Sequence, residues 1–473
     1  MANGSCTIFI VVARGFIVRN ILRSGVLERL TQTGHRVVIF FPQEKGYEGK
    51  KLREEFTRPS VMVEFLPDAS GLGRLRRGLY HFFKKMTPNL VYTQSTWTYS
   101  RIGNKRIMNR STVWAYIERM IYRPLSAFHS LKTLARFLYL YLFYSPVYAS
   151  YFEKYAPDLI FSTSIISKQD VQFMKEAKRR GVRTVSMPKG WDNISKMLYA
   201  ILPDTLIVQN EIMRRDAIQY QRMPASHIAV CGFPQFDWYR RPEILMARET
   251  LMNTLGLSPD RRLIFFGSEG MWAPLDHVTA GTLAKFVNDP AALAYPCALL
   301  VRPHFSDIHD RRFESLRGIP NVVVDDNITL SNYFNDNWNP SAEETRLFVN
   351  CLYHSDLLVT SVSTLVLDGA SVDKPLIAIA YGIIVKGGRD VSTELYETDH
   401  FKAVLRTRAV DVVRSDDELR AAVNRALEHP DYKKAERERL IADLCFRVDG
   451  RSSERVVKVL LANLPAKEER SPF

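Results

Sequence analysis

Three short stretches in the second half of the chain place small, polar or basic groups directly after apolar runs. They are Gly267-Ser268-Glu269-Gly270, Arg302-Pro303-His304-Phe305 and Ser361-Val362-Ser363-Thr364. The third is the most suggestive. Its hydroxyl residues stand where a strand opens onto a helix, with Asp368 one turn further on. Free amides and hydroxyls at a helix start suit a phosphate. Arg302 or His304, from the neighbouring strand, would add positive charge for a diphosphate leaving group. Ser and Thr are also ordinary N-caps, so each stretch alone says little. Their recurrence at the ends of successive strands of one domain is what points to phosphate binding. The first half has two comparable loops, Arg14-Gly15-Phe16-Ile17-Val18-Arg19-Asn20 and Pro188-Lys189-Gly190-Trp191-Asp192-Asn193.

The elements that must position these loops read as alternating strands and helices. Thr7 to Ala13 is a continuous apolar, β-branched run, as in a parallel strand buried on both faces. Asn20 to Thr33 reads as a helix stopped by Gly34, and residues 36–41 as a second buried strand. This βαβ logic implies a parallel sheet. Weaker strand signals lie at 61–66 and 90–93. Residues 98–155 read as helical, basic and aromatic. The alternation then resumes, turns polar around Phe233–Glu243, and repeats through 262–381 before terminal helices near 418–428 and 437–462. The predicted fold is α/β: two Rossmann-like domains, 1–240 and 241–473, facing a cleft. The first has a helical basic-aromatic insertion, and the last helices are candidates to return to it. Ligands of such folds lie beyond the carboxyl ends of the strands.

Composition narrows the function classes. The 473 residues are 46% hydrophobic and 25% charged, with 23 Gly and 23 Pro, which excludes collagen-like, low-complexity and disordered chains. The longest uncharged apolar run, Phe137 to Tyr144, is far short of the ~20 residues of a spanning helix. Five widely spaced cysteines without metal-ligand spacing read as buried free thiols in a reducing compartment. The first 30 residues lack the pattern of a signal peptide, so a cytoplasmic location is expected. The net charge of +14 is concentrated. Between Arg74 and Arg136 stand 13 Lys and Arg and one acid, Glu118, which leaves the rest of the chain near neutral.

Several further segments carry a family pattern. Pro303-His304, Ser361/Ser363/Thr364, Asp373-Lys374-Pro375 and the linker Val230-Cys231-Gly232-Phe233-Pro234-Gln235-Phe236-Asp237 are the chief ones, with Tyr396–His400 and Asp449–Ser452 beside them. Over residues 7–463 the chain resembles the GT-B glycosyltransferase superfamily. It is most similar in pattern to bacterial surface-polysaccharide transferases, among them the CDP-glycerol glycerophosphotransferases and relatives in fold of UDP-GlcNAc 2-epimerase. Phe305 stands where those proteins have Pro, and Asp368 where Glu is usual.

The resemblance implies a metal-independent glycosyltransferase without cofactor, using a nucleotide-sugar as co-substrate. Donor contacts would come from Gly267, Ser268, Arg302, His304, Ser361, Ser363, Thr364 and Asp368, with Asp399 and His400 as ribose or donor contacts. The acceptor side would hold Arg14, Arg19, Asn20, Trp191 and Asn193. Asp192 would be the general base and His304 its catalytic counterpart at the leaving group; Asp399 and His400 rival Asp192. Asn20 as a cap, Arg19 in solvent and Trp191 as packing are equally plain readings. The acceptor would be a glycan or a lipid-linked one. Alternatives are transfer of a polyol phosphate from a CDP-glycerol-type donor, epimerase chemistry, or a non-catalytic membrane-attached subunit of a polysaccharide assembly complex. Residues 74–155 suit an anionic bilayer surface at the inner face of the plasma membrane; a packed helical core or a dimer face are the alternatives, and no nucleic-acid recognition motif is present.

Overall fold

A computed structural model of the chain describes residues 5–43, 46–67, 74–102, 112–308, 311–334, 336–361, 363–384 and 388–466. Val362, Lys105, Arg106 and Arg110 lie outside them. Two all-parallel sheets organise the described residues. The first has seven strands: β1 (Thr7–Val11), β2 (Arg36–Phe41), β3 (Val61–Phe65), β4 (Leu159–Ser162), β5 (Arg183–Ser186), β6 (Thr205–Val208) and β7 (Ile228–Val230), in the order β3-β2-β1-β4-β5-β6-β7. The second has six: β8 (Arg262–Gly267), β9 (Cys297–Arg302), β10 (Val322–Val324), β11 (Leu357–Thr360), β12 (Leu376–Ile379) and β13 (Val410–Val413), in the order β10-β9-β8-β11-β12-β13. Every residue of β1 and β11 is buried, the signature of strands covered on both faces.

Each strand order reverses once, between β1 and β4 and between β8 and β11. A crevice opens at such a switch point. Register aligns what lines it. Gly267 pairs with both Thr360 and Arg302, so Ser268, Ser361 and Pro303 leave the sheet in one row. In the first sheet Val11 pairs with Ser162, and Ser162 with Ser186, which brings the loops after β1, β4 and β5 to one edge.

Several local readings change. Residues 20–33 form no single helix: a π-helical turn, Val18–Leu22, is followed by Gly25 at φ 115° and a short helix Val26–Thr31. Only glycine adopts that backbone readily, so Gly25 forces the break. Leu90 to Thr93 is not a strand: a short 3₁₀ turn, Thr87–Leu90, carries Pro88, and a loop follows it. The helical unit between β3 and β4 begins earlier than residue 98, with Arg74–Met86, Gln94–Ile102, Thr112–Leu125, His129–Tyr141 and Ala149–Tyr155. Its aromatics divide. Phe143, Tyr148, Phe152 and Tyr155 are core, the last three packed with Phe9, Phe40 and Phe173, whereas Phe137 and Tyr141 are exposed.

Two segments tie the halves together. Residues 331–334 and 336–340, which follow β10, reach into the first half: Tyr333 and Phe334 are buried with Phe41, Ile17 and Val63. Asp336 accepts hydrogen bonds from the Gly15 and Phe16 amides (3.0 and 3.2 Å). A Cβ on Gly15 would lie 1.8 Å from the Trp338 carbonyl oxygen, so this approach needs glycine. The last helix, Ser452–Ala462, also packs on the first half through Val456, Val457 and Leu460. Asp237 caps it by accepting from the Ser452 and Ser453 amides (3.0 and 2.8 Å). All five cysteines are buried, and none forms a disulfide among the described residues.

Candidate active site

Two cavities open along the crevice. The first, about 330 Å3, is lined by Arg19, Asn20, Lys189, Ser268, Arg302, His304 and Asp368 among others. The second, about 650 Å3, extends from it toward the helical unit. Lys189, Trp191, Asp192, Glu269, Ser363 and Thr364 line both, so these residues form the shared wall. Trp191 holds that wall across the two halves: its Nε1 donates to Thr364 Oγ1 at 3.3 Å, and its ring meets His400 edge-on at 5.3 Å.

The loops that leave β8, β9 and β11 are held by dense hydrogen bonding. Ser268 Oγ donates to Asp307 (2.7 Å) and accepts from the Gly270 amide (3.1 Å). Gly270 has φ 64°, and a Cβ there would lie 2.6 Å from His304 Nδ1, so the turn admits only glycine. Ser361 Oγ donates to Asp276 (2.9 Å) and Ser363 Oγ accepts from the Leu365 amide (3.3 Å). Gly267 is buried under Leu365, where a Cβ would lie 2.2 Å from Cδ1; it shapes the row without lining a cavity. Asp368 accepts from Tyr239 Oη, and burial raises its pKa while Tyr239 and Arg19 oppose the shift.

Charge in the crevice is distributed differently from the sequence expectation. Arg302 is ion-paired with Asp325, which cancels its charge locally. His304 is pushed down to about 4 by burial, so it is neutral at physiological pH. Its Nδ1 accepts from the Ser306 amide (3.2 Å), which leaves the ring proton on Nε2 as a donor. The helix after Thr364 has only seven residues, so its dipole is a minor contributor. The cations left for an anion are Lys189 and Arg19. Neither makes an ion pair among the described residues, and burial lowers the pKa of both. Arg19 donates to Asn20 Oδ1 (2.8 Å) and lies 4.9 Å over the Trp338 ring. Lys189 stands within the Pro188–Asn193 loop but carries no signal that separates it from a surface lysine.

Asp192 is ion-paired with Lys196, and its Oδ1 accepts from Asn193 Nδ2 (3.0 Å). Burial opposes its ionisation, but the charge and hydrogen bond of Lys196, together with smaller contributions from His400 and the backbone, outweigh that and hold the carboxyl well below its usual range. Glu269 is its converse: burial raises it to about 8, with Asp276, Asp192 and Asp307 acting in the same direction against a Ser363 hydrogen bond. It is a protonated acid in the crevice wall at neutral pH. His400, lowered to about 4 by burial, lines the second cavity with no hydrogen-bond partner on Nδ1.

Two expected site residues stand apart. Asp399 faces neither cavity: its carboxylate accepts from the Ser95 amide (2.7 Å), while its own amide donates to Ser95 Oγ (2.8 Å). Arg14 lines neither cavity; its backbone caps the first turn while its charge lowers the pKa of Lys189. Arg19 and Asn20, expected on an acceptor side, open into the same cavity as Ser268, Arg302 and His304, not onto a separate face. Among the described residues no three His, Cys, Asp or Glu side chains gather as a metal-binding group.

The comparisons agree with this geometry. Residues 333–462 match the family model of CDP-Glycerol:Poly(glycerophosphate) glycerophosphotransferase. No curated protein matches the chain. Among solved structures, a protein of Listeria monocytogenes assigned as a UDP-N-acetylglucosamine 2-epimerase superposes with TM-score 0.55 at 8% identity, over 97% of this chain and 96% of that one. The S. aureus MnaA–UDP complex superposes with TM-score 0.53 at 10% identity, over 99% and 100%. The wall teichoic acid polymerase TagF, soaked with CDPG, does so with TM-score 0.53 at 13% identity, over 98% and 90%. Residues 333–462 thus resemble the CDP-glycerol glycerophosphotransferases, and over nearly its whole length the chain shares the fold of these solved structures.

Proposed function

We propose that the chain transfers a group from a nucleotide-activated donor to a hydroxyl of a cell-surface polysaccharide or lipid-linked acceptor. The observation that carries this is the pair of half-buried cations without ion-pair partners among the described residues, Lys189 and Arg19, facing the Ser268, Ser363 and Thr364 row. Desolvated cations are stabilised by an incoming anion. In the first reading the donor is a nucleotide-sugar. The acceptor oxygen bonds to the anomeric carbon, the bond from that carbon to the diphosphate breaks, and a nucleoside diphosphate departs. Asp192 takes the acceptor proton, and His304 Nε2–H donates to the departing phosphate. Metal independence follows from side-chain cations meeting the diphosphate. The family match favours a second reading, in which the acceptor attacks the distal phosphorus of a CDP-glycerol-type donor and CMP departs.

Thermal-shift measurement with UDP-, GDP-, CMP- and CDP-linked donors, followed by mass analysis of the released nucleotide, tests and separates these. Stabilisation and release of a nucleoside diphosphate supports the first, and release of CMP from a CDP-linked donor the second. No stabilisation by any donor overturns both. Turnover abolished by EDTA would overturn the metal-independent reading.

The helical unit supports attachment to an anionic bilayer at the inner face of the plasma membrane. On the helix Thr112–Leu125, Val113, Ile117, Met120 and Ile121 share one exposed face, with Phe82 and Phe137 exposed on neighbouring helices. Exposed Arg76, Arg77, Lys84 and Lys85 stand on the helix Arg74–Met86. An apolar face beside basic side chains fits an anionic lipid surface. No helix of the described residues is long and apolar enough to cross a membrane. Flotation with phosphatidylglycerol vesicles should exceed flotation with phosphatidylcholine; equal recovery would refute electrostatic attachment.

A further inference from the structure

The second cavity has the larger volume and a wall unlike the first. Its floor is the shared wall at Asp192, and its far side is built by the helical unit through Tyr92, Tyr99 and Glu118. Tyr99 meets Trp272 edge-on at 5.6 Å, and the Lys196 ammonium lies 4.7 Å over the Tyr99 ring. Glu118 accepts from Ser100 Oγ at 2.8 Å. The helix Gln94–Ile102 that carries Tyr99 is fixed to the second half by the Ser95–Asp399 bonds and by the Arg101–Glu394 ion pair, so the chamber is a built structure.

Three of its polar atoms lack hydrogen-bond partners among the described residues: Tyr92 Oη, His400 Nδ1 and Asn193 Oδ1. Asn193 is only 8% exposed, and a buried polar atom left unpaired costs free energy that a ligand can recover. The cationic groups present are Lys196, committed to Asp192, and Lys189, which also faces the first cavity. The described residues of the chamber therefore combine flat aromatic faces with hydroxyl, amide and carboxylate groups, and among them stands no uncommitted cation that belongs to this chamber alone. Such a wall matches a ring with apolar C–H faces and hydroxyl edges.

We propose that this chamber binds a neutral sugar unit of the acceptor, with the hydroxyl to be extended directed at Asp192 through the shared wall. This rests on the transferase reading and adds to it the acceptor's chemical class and place. Tyr92, Tyr99, Trp272 and Glu118 become acceptor-binding residues.

The test uses the full chain and two independent measurements. Saturation-transfer NMR is run with methyl glucoside, methyl N-acetylglucosaminide and, as the anionic contrast, glycerol 1-phosphate. Binding of CDP and UDP is measured on the same samples. The expected result is saturation of at least one neutral glycoside in the wild type, and its loss by about tenfold or more in Tyr99→Ala and Glu118→Gln. CDP and UDP affinities should stay unchanged in both. Tyr92→Phe, which removes one oxygen, should weaken the signal while leaving the melting temperature intact. No neutral glycoside signal in the wild type, a signal that persists in all three variants, or a preference for glycerol 1-phosphate that these variants abolish would each overturn the proposal. Failure of CDP and UDP to bind any form would instead overturn the transferase reading.

Discussion

Glu269 offers a test that depends on sign as well as size. Its carboxyl lies in the crevice wall at about 8 because burial disfavours its charge. At pH 7 it is a neutral acid beside Ser363, and at pH 9 it is an anion facing the place of a diphosphate. If only the protonated form admits the donor, the apparent Kd scales inversely with the protonated fraction and rises about tenfold between pH 7 and pH 9, or about 1.4 kcal/mol. Calorimetric titration of UDP or CDP across this range measures it. In Glu269→Gln the rise should vanish and affinity at pH 9 should exceed that of the wild type. A wild-type affinity flat from pH 7 to pH 9, or an equal decline in Glu269→Gln, would refute the reasoning. Stability carries the same sign. The folded form holds a proton the unfolded chain releases near 4.5, so this contribution is greatest in acid and is lost as pH rises toward about 8.

Lys196→Met should raise the pKa of Asp192, whose depression depends on that ammonium; the acid limb of the pH–rate profile should move upward, and an unmoved limb would exclude Asp192 as the base. The wild-type pair contributes stability above the ordinary carboxylate range that is lost as pH falls. Gly270→Ala should cost more than about 1 kcal/mol from its left-handed backbone alone and should weaken donor binding by displacing His304, read by denaturation and thermal shift. Phe334→Ala should destabilise the fold by about 3–5 kcal/mol, and because Phe334 packs against Phe41 of the other half, urea unfolding should separate toward two transitions.

The strand ends of the second half were legible because apolar runs stop abruptly at small and polar residues, and parallel register does the rest by lining Gly267 up with Thr360 and Arg302. The charges on those loops were not legible. Asp325 cancels Arg302 from the end of a neighbouring strand 23 residues on, and the burial that neutralises His304 is a property of packing. Lys189 and Glu269 stood inside the recognised loops but carry no local pattern that marks a desolvated cation or a protonated acid. The aromatics of 137–155 read equally as membrane surface or as packed core, and they divide between the two because their spacing serves several neighbours: Tyr148 faces Phe173 while Tyr141 faces solvent. Residues 331–340 look like an ordinary loop, since nothing local says that Tyr333 and Phe334 complete another domain's core.

That last segment bears on how substrates arrive. Swinging the two halves apart would draw Tyr333 and Phe334 out of their core, at about 2–3 kcal/mol for each side chain, and would break the Asp336 contacts with Gly15 and Phe16. The final helix resists the same motion from the other side. A hinged jaw is therefore an unfavourable design for this chain. Traffic through a fixed corridor suits it better: a donor enters beside Arg19, an acceptor arrives past Tyr92 and Glu118, and the two meet at a partition one tryptophan thick.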